Sequence, residues 1–197
     1  MAFGMNTILV YKWLLQSTSF APMIRRIVLT GAPGAGKTAV LNALASRGYE
    51  CIPESARAII RDRRERYLSA RPLPVEFAGK ILSMDLDQYR RTAAAVGLVF
   101  FDRGILDALC MANQVGALSP ELAKQYLSDY RYFRKVFAFP PWKEIYATDA
   151  ERDQTYQGAV RVHEVLMDWY LQCGYELVEV PAMRVDERCT FIMEAVA

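Results

Sequence analysis

Gly31-Ala32-Pro33-Gly34-Ala35-Gly36-Lys37-Thr38, entered from Ile24-Arg25-Arg26-Ile27-Val28-Leu29-Thr30, is the stretch on which the fold turns. It satisfies GxxxxGK[ST] at every fixed position. The run before it is short, apolar and β-branched, and reads as a buried strand. The residues after it open a helix. Gly31, Gly34 and Gly36 let the backbone turn tightly and present successive N–H groups to phosphate oxygens. The helix N-terminus adds free N–H groups and the positive end of its dipole. Lys37 supplies a point charge for the β and γ phosphates, and the Thr38 hydroxyl is a ligand for Mg²⁺. The candidate nucleotide-binding set is therefore Gly31, Ala32, Pro33, Gly34, Ala35, Gly36, Lys37, Thr38 and Ala39. Its expected occupant is a nucleoside triphosphate, ATP with Mg²⁺. A glycine-rich turn that matches by accident is the competing reading, and the strand–loop–helix setting argues against it.

Outward from the loop the pattern alternates. The first helix should end by Gly48, and 49–53 (YECIP) is a second strand. Residues 54–69 and 75–95 read as helices, separated by Arg71-Pro72-Leu73-Pro74, whose prolines break any continuous helix. The most apolar strand is 96–102 (VGLVFFD), followed by helices over 104–116 and 119–134. A strand at 135–139, a long helix at 149–172, a strand at 175–180 and a helix at 185–196 complete the chain. Strands alternating with helices predict a five-stranded parallel sheet between two helical layers, an α/β/α arrangement.

The bulk properties exclude several classes. A chain of 197 residues with 53% hydrophobic and 23% charged residues is ordinary for a globular enzyme. Net charge is +2, with no basic stripe or tail, so no nucleic-acid partner is expected. The arginines between residues 57 and 71 are interrupted by Asp62 and Glu65 and read as a solvated helix face. Four dispersed cysteines and one histidine give no zinc motif and suit a reducing compartment. Residues 1–22 read as an arm before a single domain at 23–197. Their apolar run at 8–15 is interrupted by Lys12 and too short to span a bilayer, so the expected location is cytoplasmic.

Other residues carry candidate chemistry. Asp102, ending the apolar strand, is the candidate second anchor for Mg²⁺; its competing role is to cap the helix that follows. Arg103 stands where ATP-driven motors commonly have a second acid, which argues against such a machine. Glu54 ends the second strand. If that strand neighbours the one bearing Asp102, Glu54 faces the same crevice and can orient or deprotonate a hydroxyl. Its plainer role is a first-turn helix acid. Arg57 lies one helical turn on and shares that face. Arg152, in a polar stretch after the fourth strand, is a candidate lid arginine for the transferring phosphoryl group, or else a solvated helix residue. Trp142 and Tyr146 are expected as core anchors of that lid, and His163 as a satisfied helix residue without chemistry.

GAPGAGKT, IPESARAII, FFDRGILDAL and FPPWKEIYATDAERDQTY, in this order, resemble bacterial P-loop proteins described as predicted AAA-type ATPases. That group is similar to the ribosylnicotinamide kinase domain of the bifunctional NadR protein. The resemblance covers about residues 24–196 and implies a kinase-type strand order, 2-3-1-4-5. The Asp102-Arg103 pair is similar to the acid–arginine pair of thymidylate and deoxynucleoside kinases, where the arginine contacts phosphate or orients the acceptor. Glu54 falls where deoxynucleoside kinases carry a strand-end catalytic glutamate. Asp107, in the same motif as Arg103, joins Glu54, Arg57 and Arg103 as candidate substrate contacts. The usual DRS or DRY reads DRG here, so a hydroxyl expected beside the arginine is missing. Two functions stand: an ATP-dependent kinase acting on a small, nucleoside-like acceptor, with Lys37, Asp102, Glu54, Arg103 and Arg152 catalytic, or a nucleoside triphosphatase or nucleotide switch without one. A subunit that hydrolyses ATP in trans within an assembly is weakened by the missing acidic pair.

Overall fold

Ile27, Val28 and Leu29 in β1 (Arg25–Gly31) are all fully buried, although neighbouring side chains of a strand point to opposite faces. Such a strand needs cover on both sides, the usual condition of a parallel sheet. The structure, a computed structural model, describes residues 24–69, 72–147 and 155–197. It joins β1 to β2 (Glu50–Ile52), β3 (Leu98–Asp102), β4 (Lys135–Phe139) and β5 (Glu176–Glu179) in the order β2-β3-β1-β4-β5. Every pairing is parallel. The expected fold class and strand order are the observed ones.

The helices are α1 (Lys37–Ser46), α2 (Ser55–Glu65), α3 (Pro74–Arg91), α4 (Ile105–Gln114), α5 (Pro120–Asp129), α6 (Tyr156–Gln172) and α7 (Val185–Val196). Strand alternation sorts the core. Ile27, Leu29, Phe100 and Phe137 pack on the side of α1 and α7. Val28, Val99, Phe101 and Val136 pack on the side of α4 and α6. A third cluster, with Ile59 and Ile60 of α2, Phe77 and Ile81 of α3 and Ala108 of α4, lies beyond the edge of the sheet.

Several element boundaries differ from expectation. The helix expected to reach residue 134 stops at Asp129, because the next residues serve the core. Tyr132 is buried edge-on against Phe101 at 5.4 Å, and the Phe133 amide donates to the Arg26 carbonyl at 2.7 Å. Burial overrides helix propensity there. α2 ends at Glu65 instead of residue 69, closed by Tyr67 in the left-handed region at φ 56. α3 ends at Arg91 and passes into a tight turn at Thr92–Ala94. The expected arm at 1–22 lies outside the described residues. The long helix expected from 149 begins at Tyr156, where the Thr155 hydroxyl caps it by accepting from the Gly158 amide at 3.1 Å. Among the described residues no helix is long and apolar enough to cross a membrane. Cys110 and Cys189 are buried, Cys51 and Cys173 half-buried, and all four are free.

Candidate active site

Register decides what meets at the carboxyl edge of the sheet. β2 pairs with β3, Ile52 opposite Phe101, and β3 pairs with β1, Asp102 opposite Leu29. Glu54, the Asp102-Arg103 pair and the loop starting at Gly31 therefore leave three adjacent strands at one edge. The condition placed on Glu54 is met.

Gly31, Gly34 and Gly36 all take positive φ in the loop, and at two of them a side chain would also meet its neighbours. Gly31 has φ +117, and a Cβ there would collide with the Phe139 carbonyl and lie 2.7 Å from the Phe139 nitrogen. Gly36 has φ +84, and its Cβ would lie 2.8 Å from Nη1 of Arg188. α1 starts at Lys37 without a side-chain cap, which leaves first-turn N–H groups open to an anion. Lys37 is 5% exposed, its Nζ donating to the carbonyls of Ala32 at 2.8 Å and Gly31 at 3.4 Å. Burial, with the Arg103 charge nearby, lowers its pKa to about 8. An ammonium held this deep by carbonyls alone is prepared for an anion.

Asp102 is 3% exposed. Its Oδ2 accepts from the Thr38 hydroxyl at 2.7 Å, while Oδ1 is buried without a hydrogen-bond partner. Burial raises its pKa, and the Glu54 charge adds to that. A hydroxyl and an orphaned carboxylate oxygen side by side fit Mg²⁺, which takes few protein oxygens and completes its shell with phosphate and water. Among the described residues no group of three or more His, Cys, Asp or Glu could hold a metal, so no all-protein cage competes with that site. The competing cap role is filled elsewhere: the Gly104 amide at the start of α4 donates to Oδ2 of Asp107 at 3.2 Å.

Arg103 has φ 69, a left-handed conformation that costs a non-glycine residue about 1–2 kcal/mol. Its guanidinium donates from Nε to Oε1 of Glu54 at 3.1 Å, from Nη1 to Oδ1 of Asp107 at 3.0 Å and from Nη2 to the Gly31 carbonyl at 3.1 Å. Glu54 also accepts from Nε of Arg57 at 3.2 Å. Burial pushes the Glu54 carboxyl up, but Arg103, Lys37 and Arg57 outweigh it and hold it below the ordinary range. Arg57 and Arg103 thus fix both oxygens of Glu54 beside the loop.

Asp107 was expected as a substrate contact. It borders the cavity described below, yet its oxygens are taken by Thr30 at 2.6 Å, Arg103, the Gly104 amide and Tyr170 at 2.6 Å. These bonds tie β1, α4 and α6 together around Arg103. The expected lid arginine, Arg152, lies outside the described residues. Trp142 and Tyr146 are not core anchors: both are half-buried, Trp142 under the guanidinium of Arg188 at 5.3 Å and Tyr146 edge-on to Tyr156 at 5.4 Å. His163 is not a satisfied helix residue, since its buried Nδ1 has no partner and burial lowers its pKa.

Two residues of this edge escape a sequence reading. Arg188 of α7 is buried, donates from Nη1 to the Ala35 carbonyl at 3.1 Å and supports the back of the phosphate loop. Its one signal is position: it stands four residues before Ile192, on the helix's apolar stripe. Asp85 of α3 is buried and accepts from the Ser55 hydroxyl at 2.5 Å. It too occupies an apolar stripe, four residues after Ile81. A cavity of about 860 Å³ opens from Gly34–Thr38 past Glu54 and Arg103 and continues between α2, α3, α4 and α6. Its near end is polar; its far wall includes Ile60, Phe77, Ile81, Met111 and Leu166.

Comparison with known proteins bears on the fold. Among solved structures, deoxyadenosine kinase from M. mycoides with bound dATP is similar at TM-score 0.58 and 16% identity, over 87% of this chain and 98% of that one. Thymidylate kinase from Candida albicans is similar at TM-score 0.59 and 14% identity, over 87% and 90%. A NadR protein in complex with NR is similar at TM-score 0.65 and 20% identity, over 87% of this chain and 50% of that one. At these identities the likeness carries the fold, which is that of P-loop kinases. No curated protein matches. A family profile described as AAA domain matches residues 26–188, most of the chain, and the protein belongs to that family.

Proposed function

We propose that the protein is an ATP-dependent phosphotransferase that moves the γ-phosphoryl group to an alcohol on a small acceptor. The observation that carries this reading is a single cavity of about 860 Å³ lined by the phosphate loop, by Glu54 and Arg103, and by residues of four helices beyond the loop. A nucleotide switch needs room only for its nucleotide; a kinase also needs room for an acceptor. The volume falls within the range of roughly 300–1,000 Å³ typical of small-molecule sites.

Loop amides and Lys37 hold the triphosphate, and Lys37 offsets charge developing on the γ-phosphoryl group. Thr38 and Asp102 would hold Mg²⁺, whose charge would offset that of the phosphates. The acceptor oxygen forms a bond to the γ-phosphorus as the bond from that phosphorus to the bridging oxygen breaks, and ADP leaves. Pairing with two guanidiniums makes Glu54 a weak base, so its part is to accept a hydrogen bond from the hydroxyl and aim it. The proton leaves late, as suits a loose transition state. Arg103, fixed by Asp107, keeps Glu54 in place.

The test is an acceptor screen with γ-labelled ATP and Mg²⁺ on the full chain, using nucleosides, sugars and small alcohols. Label appearing on an acceptor supports the kinase. Phosphate release indifferent to every acceptor would instead support a hydrolase, and neither signal would remove the reading.

A further inference from the structure

We propose that the amino edge of the sheet, opposite the phosphate loop, docks on a bilayer surface that carries anionic phospholipid headgroups. The inference is independent of the kinase reading.

In a parallel sheet all strands start at one edge and end at the other. The phosphate loop leaves the carboxyl edge, so the amino edge lies about 20 Å away, the rise of the seven-residue β1. Arg25 and Arg26 open β1, and Arg131 and Arg134 lead into Lys135, which opens β4. The end of α7 meets them, so that the five cations line one hollow of about 650 Å³ together with Ala195, Val196 and Ala197. Among the described residues no Asp or Glu lines it, and the carboxylate of Ala197 is set against five positive charges. Two segments, at 25–26 and 131–135, supply those charges, so no basic run along the chain announces the patch.

What the cations touch leaves their charge standing. Nη1 of Arg25 donates to the Val196 carbonyl at 2.6 Å and Nζ of Lys135 to the Ala195 carbonyl at 3.1 Å, which closes the last turn of α7. Nε of Arg26 donates to the Thr92 hydroxyl at 2.8 Å, and Nε of Arg131 to the Ser128 carbonyl at 3.3 Å. Every one of these acceptors is neutral. Among the described residues none of the five cations is in a salt bridge. Glu176 stands opposite Lys135 in the ladder without pairing to it. Other exposed cations do find acids, as Arg47 does with Asp186 and Lys80 with Glu76. The fold uses Arg25 and Lys135 to finish α7; it gives the exposed Arg131 and Arg134 little to do.

The surroundings favour a bilayer over a nucleic acid. Val96 precedes Gly97, whose carbonyl accepts from the Arg25 amide at 2.8 Å, and Val96 is 66% exposed. Leu171, near the end of α6 and so close to the start of β5, is 57% exposed. Residues 1–23 join the domain at Ile24, which lines the hollow. They hold no acid and one cation, Lys12, beside the apolar run 8–15 (ILVYKWLL), Phe3 and Phe20. Apolar side chains gain little from a phosphate backbone in water but enter the boundary of a bilayer. A basic patch joined to an apolar segment supplies the two signals that hold a protein on a membrane without spanning it. Docked this way, the carboxyl edge and its cavity face the water.

The test is flotation of the full chain with vesicles of phosphatidylcholine alone, or with about 30% phosphatidylglycerol added to supply negative charge. Binding should be confined to the anionic vesicles and be released as salt rises from about 0.1 to about 0.5 M. Arg131→Gln combined with Arg134→Gln should weaken it about 25-fold, roughly fivefold for each basic residue at an anionic surface. Trp13→Asp should weaken it about tenfold by placing a charge in the apolar run. Both variants should bind Mg²⁺ and an ATP analogue as the wild type does, which separates a lost surface from a lost fold. The comparison of the two lipids on the wild type needs no variant. Equal binding to both vesicles, no binding to either, indifference to salt, or wild-type affinity in either variant would overturn the proposal. So would retention on a DNA or RNA duplex under conditions where the anionic vesicles are not bound. A failure of label transfer bears on the kinase reading and leaves this surface untouched.

Discussion

Asp85→Asn should make stability less sensitive to pH, and the size of the effect follows from the burial of the carboxyl. Burial pushes Asp85 from an ordinary 3.8 to about 7; Asp107 and Glu54 add to the rise, while the Ser55 hydrogen bond and Arg103 oppose it. Tyr132 also faces this region and stays neutral, its own pKa raised by burial. Between pH 4 and 7 the folded protein keeps a proton that the unfolded chain has lost. Stability contributed by Asp85 therefore falls as pH rises through that window, and the loss is complete above about 7. A displacement of this size corresponds to roughly 4 kcal/mol, at about 1.4 kcal/mol per tenfold change. Asparagine mimics the neutral acid at every pH but buries an amide with unmet donors, which costs about 1–3 kcal/mol. The variant should thus be less stable than wild type near pH 4 and equal or more stable at pH 8. The informative quantity is the change in that difference across the window, close to 4 kcal/mol. Urea unfolding at several pH values measures it. Parallel stability profiles for the two proteins would refute the assignment of a raised carboxyl at Asp85.

Lys37 protonates with a pKa of about 8 in the free protein. Affinity for an ATP analogue should hold below that value and weaken about tenfold per pH unit above it; Lys37→Met should bind weakly and without that dependence, and a flat wild-type profile to pH 9.5 would exclude the role. Asp102→Asn should raise the Mg²⁺ concentration needed for activity, because a hard cation prefers an anionic oxygen; an unchanged Mg²⁺ titration would move the metal elsewhere. Gly31→Ala should destabilise the fold by more than the 1–2 kcal/mol of backbone strain, since its Cβ would separate β1 from β4; urea unfolding equal to wild type would contradict that packing. Arg188→Met should weaken analogue binding by loosening the loop at Ala35, with partial recovery in Arg188→Lys; equal affinity in all three proteins would leave Arg188 a purely structural residue.

What the sequence disclosed, and what it hid, divides by the distance over which each residue finds its partners. The phosphate loop is legible because its chemistry is contiguous: glycines, lysine and hydroxyl act within one turn, and the strand and helix that hold them adjoin it. Strand order came through a family resemblance, and it was needed before Glu54 could be placed, since only the β2–β3 pairing brings that residue to the loop. Asp107 shows the same limit. Its hydroxyl partners, Thr30 and Tyr170, are 77 and 63 residues away, so nothing beside it indicates that its lone pairs are already filled. Tyr132 looked helical until its burial on Phe101 decided otherwise. Asp85 and Arg188 mark an intermediate case: each breaks an apolar helical stripe, which a periodicity count can detect without knowing what the charge faces. A break of that kind on a buried face is disfavoured energetically unless something compensates it. For Arg188 part of the compensation is visible, in the Ala35 carbonyl and the rings of Phe139 and Trp142. Asp85 has the Ser55 hydroxyl, and each keeps one buried atom without a partner, Nε of Arg188 and Oδ2 of Asp85, which no pattern along the chain announces.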